Sequence, residues 1–245
     1  MIQLPIALQM YSLHRIFPER PLEAMRMAKA AGFQAVEFYG DYFETEFYCA
    51  LMQQTGMACA GWHVLIDDLE KDFDRILKRS LATGCKYIIV PIYVCDSAEG
   101  YVEFAQRLNV MAEKLAPYGI RTGYHAHACD FKEFDGVAIW DIIAQNTCPE
   151  VVLQLDTGNA ACGGADVLTT FAKYPGRNQS VHFKPYHKDD ELAGIGKDQL
   201  PWNECFEWCE GPGRTEWIVV EYEHDVDMTA MLNDTYSFLR SVRPL

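Results

Sequence analysis

Short apolar stretches alternate along the chain with longer segments whose apolar residues recur at helical spacing. The short stretches are rich in β-branched and aromatic residues, which indicates buried strands. Several of the longer segments stop at a glycine, a residue that commonly ends a helix. The predicted strands are residues 2–11, 33–39, 57–65, 86–93, 120–127, 151–156, 179–184 and 217–223. The predicted helices are residues 22–31, 43–54, 72–83, 101–118, 137–146, 167–173, 202–210 and 228–242.

Eight strand and helix units account for the 245 residues of the chain. Near-continuous apolar strands are typical of parallel sheets that are buried on both faces, and parallel neighbours need helical crossovers. Eight such units in a chain of this length fit a closed barrel better than an open sheet. We therefore expect residues 1–245 to form one α/β domain, a single (β/α)₈ TIM barrel.

Polar side chains collect at the C-terminal ends of the predicted strands, where the active sites of such barrels lie. Because side chains alternate along a strand, the inward positions of neighbouring strand ends meet at one mouth. Carboxylates gathered there need a cation or hydrogen bonds to offset their repulsion. Histidine and carboxylate ligands together suit Mn²⁺, Zn²⁺, Co²⁺ or Fe²⁺ better than Ca²⁺. The inward-facing polar residues are Glu37, His63, His125, His127, Gln154, Asp156, His182, Lys184, Glu221 and Glu223.

Composition narrows the range of partners. The formal net charge of −14 disfavours a nucleic-acid partner, because that binding rests on neutralising phosphates with Lys and Arg. The nine cysteines are scattered without a Cys-x-x-Cys pair, as expected of free thiols. No apolar run suits a membrane span, and the first residues lack the pattern of a signal peptide. We expect a cytoplasmic protein that acts on a small molecule and not on a membrane; the sequence is compatible with a homo-oligomer.

Six short motifs carry a resemblance to a known family. They are LQMYSL (8–13), AGFQAVE (31–37), YHAH (124–127), LDTGN (155–159), VHFK (181–184) and VVEYE (219–223). Together, and in this order, they resemble the sugar phosphate isomerase/epimerase family, the xylose isomerase-like barrels. The resemblance runs from about residue 5 to residue 240.

The resemblance implies one divalent metal ion held by side chains of the fifth to eighth strands. Three of the family's ligands carry over as Asp156, His182 and Glu221. The fifth-strand ligand departs from the family, because the ketose epimerases and hydroxypyruvate isomerase have a glutamate where this chain has His125. A subgroup with a Tyr-His-Asn-His stretch shares that change. The fourth ligand is then either His125 or the nearby Asp130.

The activity implied is that of a divalent-metal-dependent isomerase or epimerase of a sugar or polyol derivative, acting through a metal-stabilised enediolate. Glu221 would serve as a metal ligand and base, with His125 as ligand or proton shuttle and His127 as a further catalytic or substrate-binding group. The residues expected to orient substrate hydroxyls are His63, Glu37, Lys184 and Glu223.

Two other activities remain open. A histidine in place of one glutamate weakens the case for symmetric epimerisation and suits a general acid or base that eliminates water or a β-substituent from a keto-sugar. A lyase or dehydratase is therefore the first alternative. A nuclease resembling endonuclease IV is the second, and the acidic charge counts against it. We expect a carbohydrate substrate, while phosphate recognition is disfavoured because few Lys or Arg residues are predicted near the mouth.

Overall fold

A barrel of eight parallel strands forms the centre of the computed structural model, which describes residues 4–243. The strands are β1 (Ile6–Gln9), β2 (Ala35–Tyr39), β3 (Ala58–His63), β4 (Tyr87–Val90), β5 (Arg121–His125), β6 (Val152–Gln154), β7 (Ser180–Phe183) and β8 (Trp217–Val220). Neighbours in the barrel are neighbours in the chain, and β1 also pairs with β8. A single bridge between Asp156 and His182 joins β6 to β7, so the barrel is nearly closed. The predicted fold is confirmed; residues 2 and 3 of the first predicted strand lie outside the described residues.

Helices pack around the outside of the strands. They are α1 (Pro21–Ala31), α2 (Thr45–Thr55), α3 (Ile66–Lys71), α4 (Phe73–Thr83), α5 (Ala98–Leu115), α6 (Ile139–Asn146), α7 (Thr157–Cys162), α8 (Val167–Lys173), α9 (Trp202–Glu210) and α10 (Met228–Val242). The predicted stops after α2 and α4 are confirmed: Gly56 and Gly84 adopt φ of 63° and 67°, a left-handed conformation that favours glycine. Within residues 4–243, no helix combines the length and apolar character needed to cross a bilayer.

Several strands end earlier than predicted. The chain leaves the sheet at His125, Gln154, Phe183 and Val220, so the polar residues that follow lie in the connections at the mouth. Asp156 shows the cause at β6: its Oδ1 accepts a 2.7 Å hydrogen bond from the backbone N–H of Asn159 and caps α7. The sequence analysis did not predict helix α7. It took Asp156, which caps this helix, as the last residue of the sixth strand.

Two further local elements differ from the prediction. The predicted helix 137–146 begins only at Ile139, because residues Val137–Ala138 form a short antiparallel hairpin with residues Glu133–Phe134. Asp135 and Gly136 make the turn, both with positive φ, and Asp-Gly is a common pair in such hairpins. The predicted strand 57–65 stops at His63, and the short helix α3 follows it.

The inside of the barrel changes from apolar to polar along its axis. Its lower part is filled by two small apolar groups: Ala7, Ala35, Ala60 and Val219, and Tyr87, Ile89 and Val152. The next inward position on several of the same strands is polar. Ala7 is followed by Gln9, Ala35 by Glu37 and Val152 by Gln154, all of them fully buried. The barrel therefore offers a rigid apolar base for a buried polar layer near its C-terminal mouth.

Candidate active site

Four ligand-type side chains from β5 to β8 converge at the mouth. In this quartet of His125, Asp156, His182 and Glu221, the candidate ligand atoms all lie within 4.8 Å of one another, and each residue is buried. Nδ1 of His182 donates to Glu221 Oε2 at 2.7 Å and lies 3.8 Å from Asp156 Oδ2. Asp156 Oδ2 is buried and has no hydrogen-bond partner among the described residues.

The quartet fits a divalent cation. Ligand atoms about 2.0–2.2 Å from one ion are about 3–4.5 Å apart in tetrahedral or octahedral geometry, so the observed spacing needs only small side-chain adjustments. Buried carboxylate oxygens normally have a partner, so the unpaired Asp156 Oδ2 is the atom of the quartet most clearly available as a ligand for a cation. Two imidazoles and two carboxylates suit Mn²⁺, Fe²⁺, Co²⁺ or Zn²⁺.

A buried polar layer supports the quartet from inside the barrel. Glu37 accepts hydrogen bonds from Gln9 Nε2 at 2.8 Å, Gln154 Nε2 at 2.9 Å and His182 Nε2 at 2.6 Å. Histidine ligands of metals commonly donate their second N–H to a carboxylate, which fixes the ring and its tautomer. Glu37 therefore orients His182 so that Nδ1 faces Asp156 and Glu221.

Gln154 ties His63 and His125 to this layer. Its Oε1 accepts from His63 Nε2 and from His125 Nδ1, each at 3.0 Å, while its Nε2 also donates to Ser180 Oγ at 2.8 Å. This pattern assigns the Nδ1–H tautomer to His125 and leaves its Nε2 free to act as a ligand. His63 Nε2 also lies 3.0 Å from Glu37 Oε2.

A glycine on the neighbouring strand makes room for Glu37. The register of β2 against β3 shifts between Val36 and Glu37, which brings Gly61 opposite the glutamate. A Cβ atom at Gly61 would strike Glu37 Oε1. The position of the Glu37 carboxylate beside His182 therefore depends on the glycine at position 61 of β3 and on the shifted register of β2.

Burial and neighbouring charges act in opposite directions on the three most tightly paired groups. Burial alone would raise the pKa of Glu37, but His63 and His182 lower it well below its usual range. Burial would likewise raise the pKa of Glu221, but the Lys184 charge and the His182 hydrogen bond lower it. Burial would lower the pKa of His182, but the two carboxylates raise it to about 10. His182 is thus an imidazolium between two carboxylates when no cation is bound.

The other two members of the quartet favour their neutral forms. Burial raises the pKa of Asp156 to about 7, although the Lys184 charge acts against it. Burial and the charge of His182 lower the pKa of His125 well below its usual value. A cation would reverse the balance at Asp156, because metal ligands bind as the deprotonated form.

The loop after β5 places His127 beside the quartet. Its ring centroid lies 4.9 Å from that of His125, and burial lowers the pKa of His127 to about 4. Asp130 holds this loop: its oxygens accept from Tyr124 Oη at 2.9 Å and from the backbone N–H of His127 at 2.7 Å. Of the two candidates for the fourth ligand, His125 lies in the cluster and Asp130 lies behind it.

Lys184 and Glu223 form an ion pair at the edge of the mouth. Lys184 Nζ donates to Glu223 Oε2 at 2.6 Å. Burial would lower the pKa of Lys184, but Glu221, Asp156 and Glu223 raise it. The lysine therefore offsets part of the negative charge of the quartet while Glu223 stays partly exposed to solvent.

A cavity of about 470 Å³ opens above the quartet. Of the predicted site residues, His63, His125, His127, Glu221 and Glu223 line it. The prediction that Glu37 orients a substrate hydroxyl is not tested directly, but its carboxylate has no exposed surface and is engaged by protein donors.

Sequence reasoning gave no role to Gln9, Tyr11, Tyr39 or Ser180. Gln9 and Ser180 complete the buried layer, and the two tyrosines line the cavity. The inward phase of β7 was the available signal for Ser180, which shares it with His182 and Lys184.

Comparison with known proteins shows the same architecture. The family model described as "Xylose isomerase-like TIM barrel" matches residues 25–242. A sugar phosphate isomerase/epimerase from Parabacteroides distasonis has a TM-score of 0.85 at 18% identity, covering 100% of this chain and 96% of its own. The 3-keto-D-glucoside 4-epimerase YcjR from E. coli has a TM-score of 0.74 at 19% identity, covering 98% of this chain and 100% of its own.

A probable 3-DHS dehydratase, AsbF, from Bacillus anthracis is similar as well, with a TM-score of 0.73 at 14% identity and coverage of 96% of this chain and 98% of its own. No curated protein matched the sequence. At these identities the solved structures show the fold alone. The family match spans most of the chain, and the protein belongs to the xylose isomerase-like TIM barrel family.

Proposed function

We propose that the protein is a divalent-metal-dependent isomerase or epimerase of a sugar derivative. The observation that carries the proposal is the buried quartet with an unpaired Asp156 Oδ2. Two members of the quartet, His125 and Glu221, line a cavity at the C-terminal mouth. Structural neighbours named as sugar isomerases or epimerases support the reaction class.

The quartet would hold the cation through Asp156, Glu221, Nδ1 of His182 and Nε2 of His125. A cation bound there would polarise a substrate carbonyl and an adjacent hydroxyl, which makes the neighbouring C–H more acidic. Glu37 keeps the second N–H of His182 engaged, so the ring cannot rotate away from Asp156 and Glu221.

Proton transfer falls to the groups that line the cavity. Glu221 has a lowered pKa and is a carboxylate at neutral pH, able to accept a proton from carbon. His127 is neutral at pH 7, because burial lowers its pKa to about 4, and it can exchange a proton with a substrate oxygen. Glu223 and His63 are placed to accept or donate hydrogen bonds to hydroxyls.

Elimination from a keto-sugar is the second candidate. The observation in its favour is that Glu221, the quartet carboxylate that lines the cavity, lies on the same cavity as the neutral imidazole of His127. Glu221 as base would remove the α-proton, and the neutral imidazole of His127 would donate a hydrogen bond to the departing oxygen, which would take its proton from solvent. The likeness to a probable dehydratase supports the same alternative.

Proton exchange in D₂O tests the proposal and separates the two reactions. Manganese-loaded protein is incubated with ketohexoses and 3-ketoglucosides, and the products are followed by NMR and mass spectrometry. Deuterium at the α-carbon with an isomeric product supports isomerisation or epimerisation, whereas loss of water or of the aglycone supports elimination. If the metal-loaded protein catalyses no exchange on any of these sugars, the proposed function is wrong.

A further inference from the structure

The cavity extends well beyond the quartet. From His125 and Glu221 it runs outward over the ends of β2, β3 and β4 and reaches helix α4. We call this outer part the arm; its apolar lining is Tyr11, Tyr39, Val64, Leu65, Ile76, Pro91 and Ile92. Ligand pockets bury the apolar parts of a ligand against apolar side chains, so an aliphatic and aromatic wall that extends beyond the quartet fits a ligand with an apolar part outside the metal-bound sugar.

Three of the lining residues are large apolar side chains that remain open to solvent. Tyr11 is 41% exposed, Leu65 47% and Ile92 39%. Exposed apolar side chains grouped on one surface commonly mark a binding site. Because these residues share one cavity with the quartet, a ligand whose reacting part sits at the quartet reaches them with its other end.

The two arginines of the arm are already paired. Arg75 and Arg79 both form ion pairs with Asp41, the latter at 2.8 Å, and Arg75 also pairs with Asp72 at 3.2 Å. The Arg79 guanidinium lies 3.8 Å from the ring centroid of Trp62. Neither arginine is therefore available for two-pronged recognition of a phosphate or carboxylate.

The remaining charge of the arm is negative, because Asp68 lines the cavity and forms no ion pair among the described residues. The ion pairs of Arg75 and Arg79 with Asp41 would have to break before either arginine could bind a phosphate. A ligand with an uncharged outer end suits this wall.

We propose that the arm binds the apolar aglycone of a neutral glycoside, so that the substrate is a glycoside and not a phosphorylated free sugar. The inference rests on the proposed function in placing the sugar ring over the quartet. The aglycone lies between the tyrosine rings and the aliphatic side chains, and burying it favours binding in proportion to the apolar area removed from water.

Binding of unreactive glycosides tests this directly. Phenyl β-D-glucopyranoside, methyl β-D-glucopyranoside and glucose 6-phosphate are titrated into manganese-loaded protein by calorimetry, with saturation-transfer NMR to map the contacts. We expect the phenyl glucoside to bind about tenfold more tightly than the methyl glucoside, with the strongest saturation on the phenyl protons. Equal affinity, tighter binding of glucose 6-phosphate, or no binding of the phenyl glucoside would overturn the inference.

Two variants locate the preference. Leu65→Asp introduces a charge at an exposed arm position that is also the N-cap of α3, where aspartate is favoured, so folding is preserved. Ile92→Asp introduces a charge on the other side of the arm. Each should remove the phenyl preference and leave the affinity for the methyl glucoside unchanged. Val94→Asp, at a 69% exposed residue outside the arm lining, is the matched control and should keep the preference.

The outcome is separable from that of the proposed function. Phenyl preference that depends on Leu65 and Ile92, without proton exchange in D₂O, would keep the arm and reject the isomerase. Proton exchange without an aglycone preference would keep the isomerase and reject the arm. Equal weakening of both glucosides by Leu65→Asp would also reject the arm, because it would show a general effect on the mouth.

Discussion

The two sides of the barrel mouth are built from different chemistry. On the side of β5 to β8, imidazoles and carboxylates are buried and close enough to share one cation. On the side of β2 to β4, the cavity wall is mostly aliphatic and aromatic, and its two arginines are paired with Asp41. In our proposals, the side of β5 to β8 performs the chemistry and the side of β2 to β4 selects the substrate.

Removal of the charge of Asp156 should have the largest effect on the side of β5 to β8. Asp156→Asn keeps the shape of the side chain but loses a charged ligand, so we expect loss of bound metal and at least about a 10³-fold loss of turnover. Metal content by mass spectrometry and the D₂O exchange rate measure it. Asp166→Asn, the same change at the exposed N-cap of α8, is the control and should keep both. Retention of metal by Asp156→Asn would contradict the assignment.

His127→Gln should separate proton transfer from metal binding. The side chain lines the cavity without belonging to the quartet, so we expect about a 10²–10⁴-fold lower kcat with unchanged metal content. His224→Gln, at an exposed histidine, is the control and should behave as the unaltered protein. An unchanged kcat in His127→Gln would remove this residue from the mechanism.

Glu37→Gln tests whether the glutamate of β2 strengthens metal binding by orienting His182. The amide has one acceptor oxygen in place of two and carries no charge, so it cannot serve all the donors of Glu37 and the ring of His182 loses a charged partner. We expect the metal to bind about 10–100-fold more weakly, measured by competition with a chelating dye. Glu46→Gln on the surface of α2 is the control. A lower Tm with unchanged metal affinity would show that Glu37 only stabilises the fold.

The smallest effect should be the change with pH in the thermal stability of the metal-free protein. Burial raises the pKa of Asp156 to about 7 in the folded state, above its ordinary value of 3.8. The protonated carboxyl thus contributes stability that is complete below about pH 4 and is lost as the pH rises through about 7. The fall in Tm between pH 5 and pH 8 in the presence of chelator should therefore be smaller in Asp156→Asn. An equal fall in both proteins would contradict the raised pKa.

Much of the barrel could be predicted from local pattern. Apolar strands, helical spacing and glycine stops led to the eight units, and the inward phase brought Asp156, His182 and Glu221 to one mouth. The short helix α7 and the hairpin before α6 were missed, because a capping carboxylate and an Asp-Gly turn act over only a few residues and interrupt longer patterns.

Two features of the site could not be predicted from local pattern: the buried contact that orients His182, and the apolar arm of the cavity. Glu37 and His182 are 145 positions apart in the chain, and their contact depends on a register shift opposite Gly61. The arm depends on residues of α4, which sequence analysis placed on the outside of the barrel. Such contacts follow from packing between distant segments, which periodicity does not describe.

Anomalous diffraction from a manganese-soaked crystal tests the central claim most directly. We predict one peak among Asp156 Oδ2, Glu221, Nδ1 of His182 and Nε2 of His125, at about 2.0–2.3 Å from each atom. The peak should be absent from an Asp156→Asn crystal soaked in the same way. No peak at the quartet, or a peak only at surface carboxylates, would contradict a metal centre at this mouth and with it the proposed chemistry.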